Sequence, residues 1–220
     1  MPLVNTPDDE KRLAAEAAAE LVGSGMTIGL GTGSTVAHLL PAIARRGLTE
    51  IRCVATSVAT EEQARELGIA VEEFDRLQRL DIAIDGTDEV TPEGWLIKGG
   101  GGAHLREKIV AAAAERFVVI CDSSKPVDSL RGPVPLELFG FGAASTLARL
   151  GGEVELREAA PSPDGGVIAD YRGPGLDDPA ALAARLGADP GVAAHGLFPP
   201  NMVSEVFVAK GDAVHRTSFS

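Results

Sequence analysis

Between Asp85 and Lys108 the chain reads DGTDEVTPEGWLIKGGGGAHLREK, which gathers the carboxylates Asp85, Asp88 and Glu89, a lysine, four consecutive glycines and an Arg-Glu-Lys run into one short segment. Asp85 and Asp88 directly follow the apolar LDIAI, so they stand at the carboxyl end of a strand. An Asx turn with a helix cap is one use for such aspartates. Against it, Asp85, Asp88 and Glu89 repel one another unless a cation or hydroxyl-rich partner is near, and Lys98 is the evident candidate. A metal is the other, but no His or Cys stands at ligand spacing, and a carboxylate-only site for magnesium or calcium needs more oxygen ligands than these.

The glycines Gly99–Gly102 precede the helix-like HLREKIVAAAAE. Four glycines are costly in backbone entropy, and they make sense if the backbone wraps closely around something small. On a helical wheel Ile109, Val110, Ala113 and Phe117 form the apolar stripe, with Lys108 and Glu115 opposite. Arg106 projects toward the centre of that stripe and Glu107 lies on its flank. A carboxylate so placed is partly desolvated, and burial raises a carboxyl pKa toward the range a general base needs. Taken alone, the Arg-Glu-Lys run reads rather as a solvated face.

A second Gly-rich turn, LGTGSTVAHLL, joins a strand to a helix. Its glycines let backbone N–H groups approach a ligand, and Ser34 or Thr35 can cap a helix whose positive end favours an anion. The lysine of a P-loop is absent, and so is the third glycine of a dinucleotide fingerprint. His38, His104, His195 and His215 form no pair in sequence and read as structural or surface residues, and no GxSxG motif appears.

These segments need elements to hold them. Up to about residue 125, helical and short apolar strand patterns alternate: DEKRLAAEAAAELV, MTIGLG, STVAHLLPAIARR, IRCVAT, VATEEQARELG, LDIAID, HLREKIVAAAAE and RFVVICD. That alternation predicts βα crossovers and a parallel sheet covered by helices on both faces. Ligands in such sheets bind beyond the carboxyl ends of the strands, which singles out GTGST, Thr56-Ser57, DGTDE and DSSK. Past Pro126 the pattern becomes strand, helix, two strands, helix, strand, a smaller α+β unit of split-βαβ type. The closing VSEVFVAKGDAVHRTSF reads as two strands that could return to the first sheet or extend the second. The expected domains are 1–129 with 204–220, and 130–203.

Composition narrows the partners. The 220 residues suffice for a sizeable core, and a formal charge of −12 spread along the chain opposes nucleic acid and anionic lipid. One Trp, one Tyr and seven Phe offer no stacking platform for single strands. MPLVNTPDDEKR is too charged for a signal peptide, and no apolar run could span a bilayer, so a cytoplasmic protein is expected. Cys53 and Cys121 sit in apolar runs without CxxC spacing and read as buried thiols in a reducing compartment.

In order and spacing, GLGTGSTV, Thr56-Ser57, DGTDEV, LIKGGGGAHLREK, CDSSKPV and PVPLEL resemble the type A ribose-5-phosphate isomerase family, from about Leu21 to Leu138. GGEVELR, DDP, PGV and HGLF continue the likeness more weakly. The resemblance implies an α/β fold: a Rossmann-like parallel-sheet domain with a second, smaller α+β (ferredoxin-like) domain. It implies an aldose–ketose isomerase of the non-oxidative pentose phosphate pathway, interconverting D-ribose 5-phosphate and D-ribulose 5-phosphate without metal or organic cofactor, as a homodimer or homotetramer. It assigns Thr32, Gly33, Ser34 and Thr35 to a substrate loop, and Asp85, Gly86, Thr87, Asp88, Lys98, Gly99, Gly100 and Gly101 to the site. Glu107 becomes the catalytic glutamate and Lys125 a substrate lysine. Thr87 stands where the family has alanine, and His104 where it has an apolar residue.

That chemistry fits the residues. Moving a proton between C1 and C2 through an enediolate needs one base for both carbons, donors for the developing oxyanion and a clamp for the phosphate. On that reading Glu107 would be the base, and Lys98 with glycine-loop N–H groups would stabilise the oxyanion. Asp85 and Asp88 would hold sugar hydroxyls and assist ring opening or proton transfer between oxygens. The competing reading is a non-catalytic sugar-phosphate sensor of related fold, but the short acidic segment before Gly23 leaves no room for a helix-turn-helix. A sugar-phosphate deaminase, a lactonase or a coenzyme A transferase fits the Lys98-to-Glu107 motif less well.

Overall fold

The computed structural model describes residues 6–219; the first five residues of the N-terminal segment just discussed and Ser220 lie outside that range. The strands are β1 (Thr27–Leu30), β2 (Arg52–Ala55), β3 (Leu80–Asp85), β4 (Glu89–Val90), β5 (Leu96–Ile97), β6 (Ala114–Asp122), β7 (Val134–Leu138), β8 (Val154–Leu156), β9 (Val167–Tyr171), β10 (Val192–His195), β11 (Leu197–Phe198), β12 (Glu205–Lys210) and β13 (Ala213–Ser218). The α-helices are α1 (Pro7–Ala19), α2 (Val36–Arg45), α3 (Val58–Glu66), α4 (His104–Ala113), α5 (Ala143–Leu150) and α6 (Pro179–Gly187). They form two compact units: Met1–Thr87 with Arg106–Pro126 and Asn201–Ser220, and Asp88–Leu105 with Val127–Pro200. The chain thus changes unit at Thr87–Asp88 and Leu105–Arg106 as well, so Asp88–Leu105 belongs to the second unit rather than to the expected 1–129 segment.

The first unit is built on a six-stranded sheet in the order β13-β12-β6-β3-β1-β2, parallel except for the antiparallel edge strand β13. The closing pair β12 and β13 therefore joins the first sheet. Ile28, Leu30, Ile82, Ile84, Val118 and Ile120 fill its core with Leu39, Leu40 and Ile43 of α2 and the alanine face Ala14, Ala15, Ala18 and Ala19 of α1. Alanine at those positions lets the helix backbone approach the strands closely. α1 starts at a capping box in which the Thr6 hydroxyl accepts from the Asp9 N–H and the Asp9 carboxylate accepts from the Thr6 N–H.

Register aligns Leu30 with Ala55 and Ile84, and Ile84 with Val118, so the segments after β1, β2, β3 and β6 emerge at one edge. From β1 the chain crosses to β2 on one side and later to β3 on the other. The switch in strand order, where open α/β sheets bind ligands, falls between β1 and β3.

In the second unit, β7-α5-β8-β9-α6-β10 forms an antiparallel sheet in the order β10-β7-β9-β8, the split-βαβ arrangement of a ferredoxin-like domain. Its core contains Val134, Leu136, Leu138, Ala169, Tyr171, Leu182 and Leu186. GVAAHGLF, read as one strand, divides at Gly196: β10 stays in this sheet, while β11 pairs with β5 in a small β11-β5-β4 sheet. Ile97 and Leu197 join the same core as the larger sheet. Strands of two residues are too short for a period-2 pattern, which is why Glu89–Ile97 reads as loop from sequence. Among the described residues no helix is long and apolar enough to cross a membrane.

Candidate active site

In the first unit, the turn after β1 closes onto Asp85 at the strand switch. Asp85 is only 3% exposed. Its Oδ1 accepts from the Thr32 N–H at 3.0 Å and from the Gly86 N–H at 2.7 Å, while the Gly31 N–H donates to the Ile84 carbonyl at 3.0 Å. Any side chain on Gly31 would overlap the Asp85 carboxyl group, so this glycine is required by a close approach. Hydroxyls support the turn from β2 and α3: Thr56 Oγ1 lies 2.7 Å from Thr32 Oγ1, and Thr60 Oγ1 donates to the Gly31 carbonyl at 2.9 Å. Ser57 caps α3 by accepting from the Thr60 N–H.

Gly33 and Ser34 are exposed at the tip of that turn, and Gly33 takes a φ of +110°. Thr35 is buried at the start of α2 but makes no capping hydrogen bond there, contrary to the role expected of Ser34 or Thr35. Thr35 already has helical dihedrals, so its hydroxyl is not placed over the N–H groups of the first turn.

Glu107 is 5% exposed on α4. The helix buries His104, Glu107, Val110 and Ala111, spaced by three, three and one, while Ile109 is 49% exposed. The expected stripe of Ile109, Val110, Ala113 and Phe117 is corrected accordingly, and Phe117 belongs to β6, which starts at Ala114. Val110 occupies the space a side chain on Gly29 of β1 would need. Glu107 is one helical turn, about 4.5 Å, nearer the carboxyl edge of the sheet. Gly31, the residue after β1, is two residues beyond Gly29 on the same face. The carboxylate is thus carried toward the ligand edge on the face that Asp85 occupies. Burial pulls the ammonium of half-buried Lys108 down to about 7, so the next residue does not carry the solvated charge its type suggests.

Lys125 is half-buried in the turn after β6, and two carboxylates fix that turn. Asp122 Oδ1 accepts from the Ser124 N–H at 2.9 Å. Glu10, buried on α1, accepts from the Ser123 N–H and hydroxyl at 2.9 and 2.7 Å and from the Gly211 N–H at 2.8 Å. Those bonds, the Ser123 hydroxyl foremost, hold the Glu10 carboxyl below its ordinary range. Sequence reasoning missed Glu10, since one charge on an alanine-rich helix carries no signal of burial.

In the second unit, Lys98 directly follows β5 and is 2% exposed. Its N–H donates to the Gly196 carbonyl at 2.9 Å, and its Nζ lies 5.7 Å from the ring centroid of buried Phe198, a cation–π contact. Phe198 gave no sequence signal because it lies a hundred residues away. Exposed Asp88 accepts from the Gly100 N–H at 2.8 Å, and Glu89 accepts from the Arg131 N–H at 2.8 Å.

The glycines divide by role. Gly99–Gly102 is a β-turn closed by the Gly102 N–H donating to the Gly99 carbonyl at 3.0 Å. Gly99 and Gly102 have φ of +104° and +75°. A Cβ on Gly99 would lie 2.7 Å from Nδ1 of buried His104, and one on Gly100 would lie 2.9 Å from Asp88 Oδ1. Gly101 alone of the four has a non-positive φ and open space where its Cβ would be. The N–H groups of Gly100 and Gly102 are engaged, so a ligand would be met by those of Gly99 and Gly101. Among the described residues no three His, Cys, Asp or Glu side chains gather as a metal-holding group.

Comparison with known proteins points the same way. A sequence model described as ribose 5-phosphate isomerase A (phosphoriboisomerase A) matches residues 52–213. The ribose-5-phosphate isomerase A of Caulobacter vibrioides is 44% identical over 222 residues, covering 95% of this chain and 97% of its own. The crystal structure of ribose 5-phosphate isomerase A from Neisseria gonorrhoeae superposes with a TM-score of 0.92 at 34% identity, over 98% of both chains. A D-ribose-5-phosphate isomerase solved in complex with phospho-erythronic acid gives 0.91 at 31% identity, over 97% of this chain and 100% of that one. With a parallel sheet switching at Asp85, a ferredoxin-like second unit and relatives matched over nearly their full length, the chain belongs to the ribose-5-phosphate isomerase A family.

Proposed function

We propose that the protein interconverts D-ribose 5-phosphate and D-ribulose 5-phosphate, with Glu107 as the base. From the aldose, the Glu107 carboxylate takes the proton on C2, and the electrons of that bond form the enediolate. The same carboxyl returns the proton to C1 while a proton moves from O2 to O1. The pair of oxygens carries the developing negative charge, which Lys98 and the N–H groups of Gly99 and Gly101 stabilise. Asp85 and Asp88 orient hydroxyl groups and assist ring opening. The Thr32–Thr35 turn, with the positive end of α2, and Lys125 hold the remainder of the substrate, including its phosphate.

The observation that carries this reading is the burial of Glu107 on the face of α4 that covers the sheet, where an apolar residue would ordinarily stand. A carboxylate is removed from water there only at a cost, and a base that must be reactive near neutral pH gives a reason for it. Support also comes from the relative solved with phospho-erythronic acid, a phosphorylated sugar acid whose carboxylate resembles the oxygen pair of an enediolate. The proposal extends to a cytoplasmic homodimer or homotetramer, a state that light scattering on the purified protein would measure.

The test is to incubate the protein with ribose 5-phosphate in EDTA and follow ribulose 5-phosphate. Product insensitive to the chelator is expected. No product, or product abolished by chelation, would sink the reading.

A further inference from the structure

Nothing in the proposed reaction calls on Arg157, the residue that follows β8, yet it holds the backbone of the glycine turn. Its Nε and Nη2 donate to Asp170 Oδ2 and Oδ1 at 2.9 and 2.6 Å. Its Nη1 donates to the carbonyl oxygens of Gly99 and Gly100 at 3.0 and 2.9 Å. Asp170 is buried on β9, between β7 and β8 in the four-stranded sheet, so the bidentate pair fixes the guanidinium plane to an inner strand.

We propose that Arg157, locked by Asp170, is a positioning residue for the isomerase reaction that aims the Gly101 N–H at the developing oxyanion. The reason is peptide geometry. A trans peptide is planar, with its C=O and N–H pointing in opposite directions. The Gly99 carbonyl faces Arg157, and the N–H of the same peptide, on Gly100, faces the opposite way onto Asp88 Oδ2 at 2.8 Å. The Gly100 carbonyl also faces Arg157, which sends the Gly101 N–H away from it. A run of glycines has no side chains to resist rotation of those peptides, so their direction must be imposed from outside. Lysine cannot replace arginine fully, because one ammonium cannot hold a carboxylate bidentately and reach two carbonyls as well.

This inference rests on the isomerase reading, and the test separates the two. Wild type, Arg157→Met, Arg157→Lys and Asp170→Asn are assayed for kcat and KM with ribose 5-phosphate, and rates are normalised to folded protein from thermal melts. An inactive wild type would overturn the function itself. With an active wild type, kcat should fall about 100-fold in Arg157→Met, the scale expected when a reacting group is misplaced by about an ångström, while KM changes less than about threefold. Arg157→Lys should recover part of that loss and Asp170→Asn should show an intermediate one. A kcat per folded molecule within twofold of wild type in Arg157→Met would overturn the proposal. If Arg157→Met does not fold, Arg157→Lys and Asp170→Asn decide: unchanged kcat in both, or a loss confined to KM, would overturn it equally.

Discussion

Asp85 occupies the space that any side chain on Gly31 would require; Gly31 directly follows β1 and Asp85 ends the neighbouring β3, where the strand order switches. The carboxylate reaches across this gap to accept from the Thr32 N–H and returns to the Gly86 N–H. One missing methyl group therefore sets both the position of an acid and the course of the turn that begins at Thr32.

Gly31→Ala follows from that relationship. The new Cβ has to displace the Asp85 carboxyl or the strand, at a cost of about 1–3 kcal/mol for overpacking. The two N–H groups then lose their acceptor, and kcat/KM should fall at least about 100-fold, since a misplacement of about an ångström costs that much. Thermal melts and steady-state kinetics read both effects; wild-type kinetics in this variant would show that the Asp85 position is immaterial to turnover.

Glu107→Gln keeps the shape and burial of the side chain and removes only its basicity. Loss of a general base costs about 10² to 10⁴ in rate, so kcat should fall within that range while KM moves a few-fold at most. Retention of more than about a tenth of wild-type kcat would transfer the role of base to another group.

Much of this arrangement is legible in the sequence, and the exceptions share a cause. MTIGLG, LDIAID and RFVVICD announce buried parallel strands because they are apolar throughout, and the residues that follow them reach the ligand edge as the fold class requires. The face of α4 is only partly legible, because a wheel puts Ile109 inside and Glu107 on the flank, whereas Ile109 is exposed and Glu107 and His104 are buried. Such an inversion is itself a functional signal, visible only once packing is known. Arg157 and Phe198 are invisible for another reason: both act on the Lys98–Gly101 segment from far along the chain, and no local pattern records such a contact. The four glycines show that a close approach is needed, but not that three are demanded by φ or crowding and one is not.

Glu10 predicts a pH signature. Its carboxyl is held below the ordinary value of 4.5 in the folded state, first by the Ser123 hydroxyl and then by the Gly211 N–H. A carboxylate with a depressed folded pKa contributes stability that is fully present above the unfolded value and is lost as pH falls through the folded one. Glu10→Gln should therefore be less stable than wild type by about 1–3 kcal/mol at pH 7, the usual scale for bonds to a buried charge. The gap between the two should narrow as pH falls below 4.5 and through the depressed folded value. Denaturant titrations at pH 7, 5 and 3.5 measure the gap, and a gap independent of pH would mean that the loss is packing rather than charge. Because the same carboxylate anchors the turn that carries Lys125, KM should also rise.

The last contrast sets Gly99→Ala against Gly101→Ala. At Gly99 an added methyl meets the His104 ring and its Cβ in a backbone conformation with φ of +104°, so both sterics and dihedral oppose it. That variant should lose stability and most of its activity together. At Gly101 the methyl enters open space with no left-handed φ to strain, and the melting temperature should stay within about 2 °C of wild type, since small surface changes lie within about 0.5 kcal/mol. If the Gly101 N–H meets the substrate oxygens, the same methyl crowds the ligand, and KM should rise about tenfold, the equivalent of 1.4 kcal/mol. An unchanged KM in a stable Gly101→Ala would remove the Gly101 N–H from the oxyanion donors and leave Lys98 and the Gly99 N–H in that role.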